Sequence, residues 1–296
     1  MGYIVDLSKH QPSKNINWSV FSKQVDLLIL RVQYGSAVPD SEYANHVSNA
    51  KKFNIPFMTY AFPEFVSVDD ARVEARDAVK RQDKDSKAMI IDIEAEYDKN
   101  KKPVGITKLS KDVRLNGIKA YVDELRKCGV KKVGAYIAHN VYEPWGINTI
   151  VNIFDFIWIA RYGADDGKPN ANAKPKYPCD LWQYTSVGRV EGYNDDLDLN
   201  MLIGNKTLDW FIGGQAQTAS ITQNTTNTGG IRMYQPSNTE LMNATLRVLG
   251  RLSQKDPNGI SKDWYTKAQK GEIPLDDVVG LLYVALDRGL IQGSGK

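Results

Sequence analysis

Four carboxylates stand out by type and spacing. In YIVDLS, Asp6 follows three apolar residues; in AMIIDIEA, Asp92 and Glu94 follow an apolar run; in DLDLN, Asp198 lies between two leucines. Alternate residues of a strand point to the same face, about 6.5–7 Å apart along it. Carboxyls so placed repel unless water, substrate or a partner compensates, and the repulsion raises one pKa. That is how a carboxyl keeps its proton near neutral pH and serves as a general acid. One acid on a surface strand is ordinary, but four on three strand ends form a pattern.

Aromatic and hydrogen-bonding residues frame the same ends: Tyr60 and Phe62, Tyr136, Trp158 and Tyr162, Trp182 and Tyr184. Aromatic faces stack on the apolar faces of sugar rings. Gln183, Arg161 and Arg31 can bond hydroxyls or carbonyls. Each aromatic taken singly is more often core than ligand, and Trp158, between Ile157 and Ile159, also suits a core. Acids with aromatic platforms point to carbohydrate cleavage more readily than to phosphate chemistry. Two other classes stay open. The acids could hold Mg²⁺ or Mn²⁺ for phosphodiester cleavage, which excess EDTA would abolish. Alternatively, a silent sugar-binding protein would pull down with cell walls yet release no reducing ends.

Short apolar segments must place these residues. Strands are predicted at 3–7, 27–33, 57–62, 88–94, 132–138, 156–162, 181–185 and 197–202, several apolar on both faces as buried parallel strands are. Helical patterns fall between the early ones, at 18–25, 42–53, 68–81 and 109–128. Ser67 and the acids after it suit the start of the third. Beyond Phe156 the connections carry Gly, Pro, Asn and Asp instead. Alternating units followed by strand-rich chain predict an α/β fold, an irregular (β/α)5(β)3 barrel over residues 1–212.

A polar linker is expected over 213–230, where Gln, Thr, Asn and Gly dominate. Residues 231–296 read as a small all-α module of three helices. Leu241, Leu246, Val248, Leu249 and Leu252 fall in the first, with Asn238 or Thr239 near its start. Trp264 and Ala268 fall in the second, and Asp276 and Asp277 precede the third. Tyr234, Trp264 and Tyr265 could bind a polymer or belong to the module's core.

Composition narrows the partners. Of 296 residues, 38 are basic and 35 acidic, so the net charge of +3, without a dense Lys/Arg block, argues against nucleic acid. No apolar stretch nears the roughly 18 residues of a membrane span. Cys128 and Cys179 allow one bridge or two free thiols, and free thiols fit better. His10, His46 and His139 are too few for a His-rich zinc site, and no metal or cofactor is expected. The opening MGYIVDLSKH has no basic leader or long apolar run, so the expectation is synthesis without a signal peptide.

YIVDLSKHQ, LILRVQYG, MIIDIEA, IWIARYG, LWQYTSVGRVEGY and LDLN occur in one order. In that order they resemble glycoside hydrolase family 25, the Chalaropsis-type lysozymes, over roughly residues 1–212. The resemblance implies cleavage of β-1,4 bonds between N-acetylmuramic acid and N-acetylglucosamine in peptidoglycan, without a cofactor. It makes Glu94 the general acid, Asp92 its assisting carboxylate, and Asp6 and Asp198 outer acids that shape the site. Tyr60, Phe62, Tyr136, Trp158, Arg161, Tyr162, Trp182, Gln183 and Arg31 become substrate-binding candidates. It also favours retention through the substrate's own 2-acetamido group; strand spacing alone does not choose between retention and inversion. Two departures are visible: Tyr60–Ala61–Phe62 where many members carry a histidine before the phenylalanine, and RVQYG without the acid often found before its glycine. With linker and module, the whole resembles a phage endolysin. Such an enzyme would wait in the host cytoplasm, without membrane insertion, until a holin releases it to the wall. The module would hold a wall polymer; a stabilising or oligomerising bundle is the alternative.

Overall fold

The computed structural model describes residues 2–213 and, beyond them, 245–246, 248–249, 252, 263–270, 272–273 and 281. The expected linker from 214 onward, Tyr234, Asn238, Thr239, Leu241, Asp276 and Asp277 lie outside the described residues. The chain forms two units, Met1–Ser220 and Ile221–Lys296. Among the described residues no helix is long and apolar enough to cross a membrane. Cys128 and Cys179 are both free.

The first unit is a closed barrel. Strands β1 (Tyr3–Leu7), β2 (Val25–Tyr34), β4 (Phe57–Phe62), β5 (Met89–Ile93), β6 (Val133–Ala138), β7 (Phe156–Ala160) and β8 (Leu181–Val190) run parallel in that order around it. Strand β9 (Tyr193–Leu202) closes the ring antiparallel to both β8 and β1. The two-residue strand β3 (Val38–Pro39) hangs on the end of β2. Helices α1 (Trp18–Phe21), α2 (Tyr43–Lys52), α3 (Val68–Arg81) and α4 (Lys111–Lys127) follow β1, β2 with its appendage, β4 and β5. After β6 and β7 the connections hold only single 3-10 turns, at Ile147–Thr149, Val151–Ile153 and Ala171–Ala173. Ser67 caps α3 by accepting from the Asp70 N–H at 3.2 Å.

Both faces of the parallel strands β2, β4, β5, β6 and β7 are buried over most of their length, which is why their sequences read as apolar runs. Val5, Leu28, Leu30, Ile91 and Ile137 face outward onto the helices, while Ile4, Leu27, Ile29, Met58, Ile90 and Trp158 fill the interior. At the N-terminal end of the parallel strands, helix α5 (Leu208–Ile212) stops the barrel. Its Phe211 is wholly buried and meets Phe156 edge-on at 5.1 Å. Gly134 makes room for that arrangement: a Cβ there would sit 2.3 Å from the Phe156 ring.

Two predicted elements change length. The helix expected at 18–25 is one turn, because Val25 already pairs with Tyr3 and the apolar run after it takes the chain into β2. The strands expected at 181–185 and 197–202 extend into a hairpin in which Val190 pairs with Tyr193 across Glu191–Gly192. Gly192, at φ 98°, supplies the left-handed residue such a tight turn requires. In the second unit, α6 (Asp263–Lys270) buries Ala268 beside Leu249 and Ile273. Trp264 and Tyr265 are half-buried against the same cluster.

Candidate active site

Strand alternation carries the interior set up to the C-terminal mouth, where polar residues replace apolar ones. Above Ile4, Ile29, Met58 and Ile90 stand Asp6, Arg31, Tyr60 and Asp92, and β9 turns Asn200 and Asp198 to the same space. Asp6 and Asp198 are direct cross-strand partners, a placement that sets two like charges side by side. The mouth encloses a cavity of about 350 Å³ in which all four predicted acids meet Arg31, Tyr60, Phe62, Tyr136, Trp158, Tyr162 and Gln183.

A chain of hydrogen bonds fixes one side of it. Tyr136 and Tyr162 both donate to Gln183 Oε1, at 2.9 and 2.5 Å, which turns the Gln183 amide nitrogen to Asp6 at 3.0 Å. The Trp158 indole donates to Asn200 Oδ1 at 2.7 Å, which leaves the Asn200 amide nitrogen to donate to Asp6 at 2.8 Å. Asp6 therefore accepts from two oriented amides. Arg31 is held from behind by the buried Asp40 at 2.7 Å. Asp40 also takes the Lys9 and Glu42 backbone N–H groups.

Asp92 stands in contrast. It is 5% exposed, and its Oδ1 is buried without a hydrogen-bond partner, a state that is costly unless something else binds there. Burial raises every acid of the group. Glu94 is pushed up to about 7 by burial, then by the charges of Glu96 and Asp6. Asp6 also reaches about 7 by burial, against the lowering effect of its two amide bonds. Asp198 rises to about 9 through burial and then Asp6, Asp165 and Glu94. Asp92 goes well above the usual carboxylate range for the same first reason, with Glu94 and Asp6 adding. Both acids of the β5 pair are thus shifted towards their protonated forms, and a positive charge arising beside Asp92 would favour its ionised form.

Aromatic rings make the floor and one wall. Trp158 is 1% exposed and meets Tyr136 edge-on at 4.6 Å and Tyr60 at 6.3 Å, so it is core and floor at once. Phe62 stacks on Tyr34 at 4.8 Å with planes 6° apart. Two candidates do not join the cavity. Trp182 points to the outer face of the barrel, where its indole donates to the Arg161 carbonyl at 2.8 Å and its ring packs on Tyr184. Arg161 bonds the Lys174 carbonyl at 2.6 Å. Alternation explains the first: with Gln183 inside, its neighbours Trp182 and Tyr184 must be outside.

The cavity also includes Ser8, His10, Gln11 and Tyr34, which sequence reasoning did not single out. The first three lie directly after β1, in the same SKHQ stretch that follows Asp6, and that adjacency was the available signal. Tyr34 had none: a register shift in the β2–β4 pairing between Arg31 and Gln33 reverses the parity of the strand end. Gln33 is turned out to the Glu74 carbonyl, and Tyr34 is turned in. Among the described residues no group of three or more His, Cys, Asp or Glu is disposed to hold a metal ion.

A family model described as Glycosyl hydrolases family 25 matches residues 5–193. Among solved structures, the chain is similar to the catalytic domain of endolysin ply40 from bacteriophage P40 of Listeria monocytogenes. The identity is 26% and the TM-score 0.61, over 73% of this chain and 98% of that one. GHIP, a glycosyl hydrolase 25 of Streptococcus pneumoniae, is 24% identical with a TM-score of 0.62, over 72% of this chain and 94% of that one. The bacterial lysozyme from Streptomyces coelicolor shares the fold at 19% identity and a TM-score of 0.58, over 72% and 98%. Among curated proteins, none matches the chain.

Proposed function

Because the chain belongs to glycosyl hydrolases family 25, a glycoside hydrolase acting on peptidoglycan, we propose that it is an N-acetylmuramidase of the endolysin type. The observation that carries this reading is the convergence of Asp6, Asp92, Glu94 and Asp198 on one aromatic-floored cavity at the barrel mouth.

A glycosidic oxygen leaves poorly unless it is protonated as its bond breaks. Glu94, whose proton is held to about pH 7, is the donor. Asp92, with its unpartnered buried oxygen, accepts the N–H of the sugar's 2-acetamido group. It thereby aims the acetamido oxygen at the anomeric carbon and balances the positive charge that develops there. The acetamido oxygen's bond to that carbon forms as the glycosidic bond breaks, closing a five-membered oxazolinium ring while the leaving sugar departs with the Glu94 proton. Water then bonds to the anomeric carbon, gives a proton to the ionised Glu94 and opens that ring. Configuration is retained. Asp6, Asp198 and Arg31 shape the pocket, and Tyr60, Phe62, Tyr136, Tyr162 and Gln183 contact the sugars.

The likeness to a Listeria phage endolysin supports a role in releasing phage from the host. The enzyme waits in the host cytoplasm until a holin admits it to the wall, and the C-terminal unit anchors it on a wall polymer. Removing residues after Ser220 tests the anchor: activity on soluble glycan persists while lysis of intact cells falls, because tethering raises effective concentration. Equal loss on both substrates rejects it. The activity itself is tested by mass spectrometry of digested, purified peptidoglycan. New reducing ends on muramic acid support the reading; ends on glucosamine, or no cleavage, overturn it.

A further inference from the structure

The segment that follows Glu94 folds back on itself as a short hairpin. Tyr97 and Pro103 pair as an antiparallel bridge, and the Val104 N–H donates to the Glu96 carbonyl at 3.1 Å. At the tip, the Asp98 N–H donates to the Lys102 carbonyl and the Lys101 N–H to the Asp98 carbonyl, both at 2.9 Å. Asp98 Oδ1 takes the Asn100 and Lys102 N–H groups, each at 2.8 Å. The root is fixed twice: the Glu96 N–H donates to Thr107 Oγ1 at 2.8 Å, and the Tyr34 hydroxyl donates to the Glu96 carboxyl. Tyr34 lines the cavity, as does Glu94 two residues before Glu96, so the hairpin rises from the cavity's edge.

What the hairpin turns to solvent is more than a connection requires. Tyr97 is 58% exposed, the most exposed large apolar side chain among the described residues. Lys99, Lys101 and Lys102 are exposed with it. Among the described residues none of these three forms an ion pair. Lys101 has φ 60°, the left-handed position that glycine ordinarily fills in such a turn. A lysine there costs strain that a glycine would avoid, and what it adds is a third ammonium group.

We propose that this hairpin docks the acidic peptide borne by muramic acid, its lysines meeting the peptide's carboxylates and Tyr97 covering its apolar side. The inference rests on the muramidase reading. The lactyl ether of a muramic acid seated in the cavity carries a short peptide with free carboxylates. Tyr97 lies three residues beyond Glu94, about 10 Å of extended chain. A peptide of roughly three to five residues spans about 10–17 Å, so it reaches the hairpin from the sugar beside Glu94. Flexible point charges suit carboxylates on a mobile peptide, where a fixed carboxylate would favour the planar fork of arginine. A phosphate-bearing wall polymer would also meet the lysines, but it has no use for an aromatic face beside the scissile bond.

The test uses the full-length chain on two soluble glycan sets of equal length, one bearing peptides with free carboxylates and one stripped of them by an amidase. Wild type should show the higher kcat/KM on the peptide-bearing set, and added salt should shrink that preference. A variant with Lys99→Gln, Lys101→Asn and Lys102→Gln removes the charges and keeps a residue suited to the left-handed position. On peptide-bearing chains its KM should rise about 3–10-fold with kcat retained, while both stay at wild type on stripped chains. Tyr97→Ala should raise KM about 2–5-fold, again on peptide-bearing chains only. If near-ultraviolet circular dichroism shows the triple variant misfolded, the Lys99→Gln, Lys102→Gln pair carries the test with a smaller rise. Equal losses on both sets, or none on either, would overturn the proposal and leave the hydrolase standing. A third arm compares whole walls before and after acid removal of their phosphate polymers. A loss confined to walls that keep those polymers would likewise overturn it and make the hairpin a polymer contact. A wild type that cleaves neither glycan set would remove the reading beneath.

Discussion

On the β1–β9 seam, Asp6 accepts from Gln183 and Asn200, whose amides are themselves oriented by Tyr136, Tyr162 and Trp158. On β5, Asp92 keeps an oxygen with no partner, and Glu94 sits among like charges. The two regions hold the same functional group under similar burial, yet only the first is wired into the protein. On the proposed mechanism, the carboxyl whose donors are supplied by the fold keeps the shape of the site, and the one whose donors are missing binds the substrate.

The largest effect that could break this contrast is on turnover. Glu94→Gln keeps shape and loses the acidic proton, so cleavage of purified peptidoglycan should fall by roughly 10²–10⁴-fold, with circular dichroism confirming the fold. Asp92→Asn should cost about 10²–10³-fold, the scale for removing one group that stabilises developing charge. Near-wild-type rates in folded Glu94→Gln would move the proton donor elsewhere in the cavity.

The opposite end of the barrel should respond in stability and not in chemistry. Phe211 is wholly buried against Phe156, so Phe211→Ala should lower the free energy of unfolding by about 3–5 kcal/mol. Turnover per folded molecule should stay near wild type. A comparable loss in kcat, measured well below Tm, would show that the two ends are coupled.

A smaller effect concerns pH. Glu94 moves from 4.5 to about 7 on folding and Asp198 from 3.8 to about 9. Between those values the folded chain retains protons that the unfolded chain has released. Their contribution is therefore greatest in acid and is lost as pH rises through the folded pKa. The barrel's Tm should be higher near about pH 5.5 than near about pH 8, by on the order of 5 °C, and Asp198→Asn should flatten the difference. A Tm that climbs over the same range would contradict buried, proton-holding acids.

The smallest effect is expected at Arg161, whose guanidinium is bonded to the Lys174 carbonyl outside the cavity. Arg161→Ala should change KM by less than about twofold. A large rise in KM would place it among the sugar contacts.

These outcomes also mark what the sequence could show. The barrel and the four acids at strand ends were legible, because strand alternation is local and an acid after an apolar run stands out. Trp182 and Gln183 are adjacent and only one can face inward; in LWQYT either phase buries a large ring, so the choice depended on β9 and on Asp6 across the barrel. Tyr34 was hidden by the register shift beside Gln33, which no one-strand periodicity contains. Asn200 sat in LDLN without attracting notice, since its role exists only once Trp158 and Asp6 lie on either side of it.

The most direct measurement is the titration of Glu94 itself, by ¹³C NMR of side-chain-labelled glutamate assigned by difference against Glu94→Gln. The account predicts a midpoint near 7, reached because burial and the neighbouring carboxylates hold the proton. A midpoint near 4.5, the value of an ordinary glutamate, would mean that Glu94 is ionised at neutral pH and is not the proton donor.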